Sequence, residues 1–172
     1  MKKITITFFI LAIAAVNAFA QITLTPTYSP SVGDRYVFKQ VDTTNVQPGN
    51  SGANQTWNFS SIIIANDSTE LTYVSPSSTP NGSLYPSATV AQYQQSASAY
   101  TYYQTSPSQI LNLGTVTSVS TIVNSNVQTV MEYPFTYNTN FTDNFQAQFS
   151  SLGATVYRRG TMNVTGDAYG TI

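Results

Sequence analysis

The segment TVAQYQQSASAYTYYQ, which occupies residues 89–104, decides the fold class of this chain. It contains two runs, residues 89–95 and 99–104, that are rich in Thr, Val and Tyr. These residue types fit a pleated, half-buried surface. Because side chains alternate across a strand, Tyr100 and Tyr102 share one face of the second run and Tyr103 lies on the other. The segment therefore predicts two neighbouring β-strands.

Similar short runs recur along the rest of the chain, with turn signals about every 8–12 residues. No window after residue 20 sustains the apolar spacing that an amphipathic helix requires. The further strand-like runs are residues 22–25, 34–41, 62–64, 71–74, 110–113, 116–123, 127–135 and 155–164. This pattern predicts an all-β fold, namely an antiparallel β-sandwich of the jelly-roll or immunoglobulin-like type.

We expect a single β-rich extracellular domain over residues 21–172. A chain of about 150 residues can bury ~68–70% of its unfolded surface, which suffices for one core without disulfides. Gly166-Asp167 is typical of a turn, and residues 168–172 resemble the start of a further strand. We therefore expect the fold to be incomplete at its C-terminus and the chain to be a truncated piece of a longer protein.

Composition excludes several kinds of chemistry. Charged residues make up 8% of the chain, against about 25% in an ordinary soluble domain, while the 13% of aromatic residues argues against disorder. The chain has neither Cys nor His, so disulfides, Ser-His-Asp triads, Cys-His pairs and zinc-hydrolase sites cannot form within it. We therefore predict a chain that is not an enzyme and carries no cofactor.

The first twenty residues have the three parts of a secretory signal peptide. Lys2 and Lys3 provide the positive charge, residues 4–16 form an apolar run, and Ala18-Phe19-Ala20 places small residues before a cleavage site. The apolar run is shorter than the ~20 residues that a transmembrane helix needs, so we expect no transmembrane anchor in this chain. The predicted location is secreted, extracellular or at the outer cell surface.

A family resemblance supports export. Residues 33–36 (GDRY), 41–44 (VDTT) and 48–60 (PGNSGANQTWNFS) resemble a recurring opening of large secreted proteins from Bacteroidetes-type bacteria. The most specific piece is SGANQTW, residues 51–57. Such proteins carry a signal peptide, β-rich extracellular domains and a C-terminal sorting domain that the type IX secretion system recognises. The resemblance implies export and β architecture but no activity. Residues 1–172 contain no sorting domain, which supports the expectation of a truncated chain.

Three tyrosines are candidate ligand-binding residues. Tyr100 and Tyr102 share a strand face, and Tyr93 is expected on a neighbouring strand. A row of exposed rings with Asn and Gln nearby is how many carbohydrate-binding sandwiches hold sugars, because ring faces stack on sugars and amides bond their hydroxyls. The alternative is structural, since cross-strand aromatic pairs stabilise a sheet by ~0.2–1 kcal/mol each without any ligand. The sole Trp, Trp57, is interpreted as a core anchor.

The charged residues offer weaker candidates. Residues 138–144, with Asp143, provide oxygen ligands of the kind that calcium takes, but they match no spaced calcium loop and are interpreted as a polar turn. Six acids could supply a glycosidase pair and are interpreted as solvated loop and strand-edge residues: Asp42, Asp67, Glu70, Glu132, Asp143 and Asp167. Arg158 and Arg159 are adjacent and should face opposite sides of a strand, so one of them could contact a partner. Two arginines make no nucleic-acid interface.

The sequence thus favours a secreted structural or binding module of a larger extracellular or cell-surface protein, with a glycan or another protein as its partner. The alternative is the N-terminal, non-catalytic part of a secreted polysaccharide-acting enzyme whose active site lies beyond Ile172. Neither hypothesis involves nucleic acid.

Overall fold

The chain forms strands where polar and apolar residues alternate, and 3-10 turns where Pro, Ser and Gly accumulate. The computed structural model describes residues 22–42 and 49–172. The predicted leader at residues 1–20, and residues 43–48 of the family resemblance, lie outside the described residues. The strands are β1 (Thr23–Leu24), β2 (Arg35–Val41), β3 (Gly52–Thr56), β4 (Ile64–Val74), β5 (Val90–Gln94), β6 (Ala99–Thr105), β7 (Gln109–Val116), β8 (Thr121–Glu132), β9 (Phe135–Thr136), β10 (Asn140–Ser151), β11 (Ala154–Thr165) and β12 (Ala168–Thr171). Short 3-10 helices occupy Pro26–Tyr28, Pro76–Ser78, Gly82–Leu84 and Gln95–Ala97.

Eight of these strands form one antiparallel sheet in the order β11-β10-β8-β7-β6-β5-β4-β2. Two small sheets accompany it: β1 pairs with β9 in antiparallel fashion, and β3 pairs with β12 in parallel. The predicted all-β, antiparallel and sandwich-like architecture is confirmed. Neighbours in the large sheet follow one another in chain order, so its connectivity is a meander rather than the Greek-key crossovers of a jelly roll or an immunoglobulin domain.

The core lies on one face of β5, β6 and β7, beneath the segment that joins β4 to β5. Tyr85 from this segment packs against four buried residues of the sheet: Ala91, Tyr102, Leu113 and Val116. Its ring stacks on Tyr102 with 4.0 Å between centroids and 12° between planes. Such aromatic pairs contribute about 0.5–1.5 kcal/mol beyond their buried area. The stack therefore holds the segment against the sheet.

Hydrogen bonds attach the same segment to the sheet. The Tyr85 hydroxyl donates to the carbonyl oxygen of Ile122 at 2.7 Å, and the hydroxyls of Thr79 and Tyr102 lie 2.8 Å apart. Burial raises the pKa of Tyr85 to about 12, with a smaller contribution from Tyr102. Burial thus extends to higher pH the range in which the Tyr85 phenol stays protonated and can donate its hydrogen bond.

The opposite face of the central strands carries a second aromatic group. Tyr73 of β4 accepts a 2.7 Å hydrogen bond from the Gln92 amide, and its ring meets Tyr36 of β2 edge-on at 5.9 Å. Burial raises the pKa of Tyr103 to about 12, with an added contribution from Tyr73. As the alternation predicted, Tyr103 belongs to this face, because it pairs with Val90 while Tyr102 pairs with Ala91.

β10 and β11 form the longest hairpin in the described part of the chain. Each strand has 12 residues, and their pairing runs unbroken from Asn140 opposite Thr165 to Ser151 opposite Ala154. Burial alternates along β10 and, from Thr155 onward, along β11, so one face is largely enclosed and the other is open to solvent. The enclosed face carries Phe141, Phe145, Ala147, Phe149, Val156, Met162 and Val164.

The sequence-based strand boundaries were wrong at several places. The strand predicted over residues 116–123 is interrupted by a turn, because β7 ends at Val116 and β8 begins at Thr121. Residues 140–144, interpreted as part of a polar turn, are the beginning of β10. Residues 52–56, which are not among the predicted strands, form β3 because β12 pairs with them from the other end of the chain. Both strands depend on distant partners rather than on local pattern.

Candidate functional site

The three tyrosines predicted to bind a ligand lie together on one sheet face. Tyr93 is directly opposite Tyr100, with 4.7 Å between ring centroids and 31° between planes. Tyr102 follows Tyr100 at 6.5 Å. Tyr93 and Tyr100 are partly buried, whereas Tyr102 is 0% exposed because Tyr85 covers its ring. A row of three exposed rings therefore does not form, and Tyr102 belongs to the core.

A second surface has a more exposed aromatic ring, which is not among the predicted binding residues. On the solvent-facing side of the β10–β11 hairpin, Tyr157 is 73% exposed and lies opposite Gln148. Arg159 lies opposite Gln146 on the same side, two residues farther along β11. These four exposed side chains form a two-by-two array, which we call the hairpin platform. The platform combines one ring, two amides and one guanidinium on neighbouring strands.

The hairpin platform borders an open concavity of about 620 Å³. Residues 146–148 of β10, residues 157–159 of β11 and Ser125 of β8 line it. The concavity forms where the pairing of β8 with β10 shifts register between Gln146 and Ala147. The Ser125 hydroxyl donates to the carbonyl oxygen of Gln146 at 3.3 Å. Because bulges of this kind redirect side chains and bend the strand, the irregularity gives the surface its concave shape.

Cross-strand hydrogen bonds extend along the rest of the hairpin. Beyond the platform, the Thr161 hydroxyl donates to the Asn144 amide oxygen at 2.6 Å, and the Thr142 hydroxyl donates to the Asn163 amide oxygen at 2.9 Å. These cross-strand bonds continue the same exposed face as a polar ladder. A binding surface on paired strands is held more precisely than one on a loop.

The two adjacent arginines have different environments, as their alternation predicted. The Arg158 guanidinium lies over the Phe145 ring, 5.0 Å from its centroid, on the enclosed side of the hairpin. Arg159 is exposed on the platform, and no described residue forms an ion pair with it. Arg159 is therefore the arginine that can meet a ligand.

The carboxylate considered for calcium has a structural role. The Asp143 side chain accepts a 3.1 Å hydrogen bond from the backbone N–H of Thr129 and another from the Thr129 hydroxyl, also at 3.1 Å. These bonds join β10 to β8 beyond the paired residues Gln146 and Asn126. Over residues 22–42 and 49–172, no group of three or more Asp or Glu side chains is placed to hold a metal ion.

An ion pair marks the other edge of the large sheet. Arg35 of β2 donates to both carboxylate oxygens of Glu70, at 2.7 Å and 2.6 Å. The hydrogen bond to Glu70 raises the pKa of Arg35, and the same bond lowers the pKa of Glu70. Each group thus satisfies the other, which leaves neither available as an unpaired charge for a ligand.

The fold and the hairpin platform define an all-β chain with an open, polar, aromatic-bearing surface. Comparison with protein-family models finds no match. Searches of the curated proteins and of the solved structures find no match either. None of the helices in the described part of the chain has the length and apolar character needed to cross a membrane.

Proposed function

We propose that this chain is a non-catalytic binding module of an exported protein and that it holds glycans on the hairpin platform. One observation carries the proposal. Tyr157, 73% exposed, lies beside Gln146, Gln148 and Arg159 on two strands that are paired without interruption. An exposed ring can stack on the apolar face of a sugar, while amides and a guanidinium bond its hydroxyls.

The openness of the surface favours a polymer over a small ligand. Small-molecule sites enclose most of the ligand in a cleft, whereas the platform lies on an exposed strand face that continues along the hairpin through Asn144 and Thr161. A polysaccharide chain could extend along this ladder and make many weak polar contacts. Export, suggested by the leader and the family resemblance, would bring the surface to such polymers.

Retention on insoluble polysaccharides tests the proposal. The purified chain should bind at least one glycan of a broad panel saturably and release no soluble sugar. Tyr157→Ala should weaken that binding about tenfold, which corresponds to ~1.4 kcal/mol. Tyr28→Ala is the matched control, because Tyr28 is 67% exposed but lies on a 3-10 helix far from the platform in sequence. Equal retention of both variants would refute the proposal, and so would a chain that no glycan retains.

A further inference from the structure

The positive charges of the described chain lie only on the two edge strands of the large sheet. Of the six Lys and Arg residues, Lys2 and Lys3 belong to the leader, and the other four lie on β2 and β11. Arg35 is bound to Glu70, and Arg158 lies against Phe145. Arg159 and Lys39 are both exposed, but Arg159 alone of the two borders the platform concavity.

Among the residues that the structure describes, no acid lines the concavity beside Arg159, although the chain contains seven acids and six bases. The nearest acid along β10, Asp143, faces the enclosed side and is bonded to Thr129. A chain with more acids than bases has thus placed one exposed arginine and no carboxylate at this concavity, since the Arg158 guanidinium lies on the enclosed side. The local charge is positive against an acidic average, which favours an anionic ligand there.

We propose that the glycan held by the platform is acidic, with its sugar ring on Tyr157 and its carboxylate or sulfate on Arg159. The inference rests on the proposed function and names the substrate class of the same site. The planar guanidinium presents paired N–H donors that match an anionic oxygen pair, and such charge-assisted bonds are about twice as strong as neutral ones. Tyr157 and Arg159 are two residues apart on one strand, a spacing of about 6.6 Å along it.

Arg159 would then bind the anionic group of the glycan, and Tyr157 would contact the face of its sugar ring. Gln146 and Gln148, opposite Arg159 and Tyr157, supply amides that donate to and accept from the remaining hydroxyls. Because Arg159 is exposed, its attraction for an anion should be screened over a Debye length of about 8 Å at physiological salt. Binding should therefore weaken as salt increases.

The experiment compares acidic and neutral polysaccharides with the whole chain. The acidic set is polygalacturonate and alginate for carboxylates and chondroitin sulfate for sulfates; the neutral set is methyl-esterified pectin, xylan and mannan. We expect retention by at least one acidic polymer, lost as salt rises, and at least tenfold weaker for Arg159→Gln. Lys39→Gln is the matched control, since it removes an exposed cation from the opposite edge strand. It should leave retention unchanged.

Other outcomes separate this inference from the proposed function. If neutral polymers alone are retained and Tyr157→Ala abolishes that retention, the platform binds glycans but the acidic class is wrong. Equal loss for Arg159→Gln and Lys39→Gln would also overturn the inference, because it would reflect net charge rather than the platform. If no polymer of either set is retained, both proposals fail. Preference within the acidic set decides whether Arg159 meets a carboxylate or a sulfate.

Discussion

Gly114 of β7 and Ile122 of β8 lie so close that a Cβ atom on Gly114 would overlap the carbonyl oxygen of Ile122. The same Cβ would come within 2.7 Å of Cε1 of Tyr85. That carbonyl oxygen accepts the hydrogen bond from the Tyr85 hydroxyl. The close approach of these strands is therefore what lets Tyr85 reach across and hold the segment between β4 and β5 on the core.

Replacing Gly114 should be costly for two separate reasons. Its φ of 153° suits glycine, and a Cβ would meet backbone and a buried ring. We expect Gly114→Ala to lower the free energy of unfolding by about 3 kcal/mol, combining overpacking and backbone strain. Gly153→Ala is the control, because Gly153 has a φ of 82° but open space around its Cβ position. It should cost only about 1 kcal/mol. If denaturant titrations show the same loss of unfolding free energy for both variants, the predicted overlap between a Cβ on Gly114 and the Ile122 carbonyl oxygen is wrong.

A substitution at the tip of the β10–β11 hairpin should stabilise the protein. Leu152 and Gly153 connect β10 to β11 with φ angles of 50° and 82°, the combination for which Asn-Gly is strongly preferred. Leu152 is 89% exposed, so its side chain adds no packing. Leu152→Asn should raise the free energy of unfolding by about 1 kcal/mol. Leu152→Ala, which keeps an ordinary residue in the left-handed region, should give no gain. Thermal denaturation of the unmodified chain and the two variants measures the effect. If Leu152→Asn is no more stable than Leu152→Ala, the preference for Asn at this left-handed position does not hold here.

The central strands were predictable because their pattern is local. The runs at residues 89–95 and 99–104 correspond to β5 and β6, and no predicted boundary differs from the observed one by more than one residue. β10 was not predictable, because seven of its twelve residues are Asn, Thr, Gln or Ser, which also build loops. Its apolar face becomes evident only when β11 and β8 lie on either side of it.

In the candidate sites, too, features set within one strand were predictable, whereas features that depend on distant residues were not. Alternation correctly predicted that Arg158 and Arg159 face opposite ways, and the same rule places Tyr157 beside Arg159. Alternation could not predict the strand register, which places Gln146 opposite Arg159 and Gln148 opposite Tyr157. Nor could it show that Tyr102 is covered by Tyr85, a residue from an irregular segment whose position depends on tertiary packing.

Alkaline pH should destabilise the fold through its buried phenols. Burial raises the pKa of Tyr85 and of Tyr103 to about 12, whereas an unfolded tyrosine ionises near pH ~10. Since the folded pKa is the higher one, the stabilisation is complete below pH ~10 and is lost as the pH rises toward 12. The melting temperature should fall steeply in that window. Tyr103→Phe removes one titrating group, so its melting temperature should fall less over the same window. An identical fall in both chains would contradict this account.

Asp143 should behave as a structural residue that needs no metal ion. Its carboxylate holds the backbone N–H and the hydroxyl of Thr129, and hydrogen bonds to charged groups contribute about 1.5–3 kcal/mol each. Asn retains one acceptor oxygen, so Asp143→Asn should lower the free energy of unfolding by about 1–2 kcal/mol. Asp167→Asn, at an exposed turn, should have little effect. Millimolar calcium should leave the melting temperature of the unmodified chain unchanged. A calcium-dependent rise that disappears in Asp143→Asn would instead make Asp143 a ligand, and the bond to Thr129 would then describe only the metal-free state.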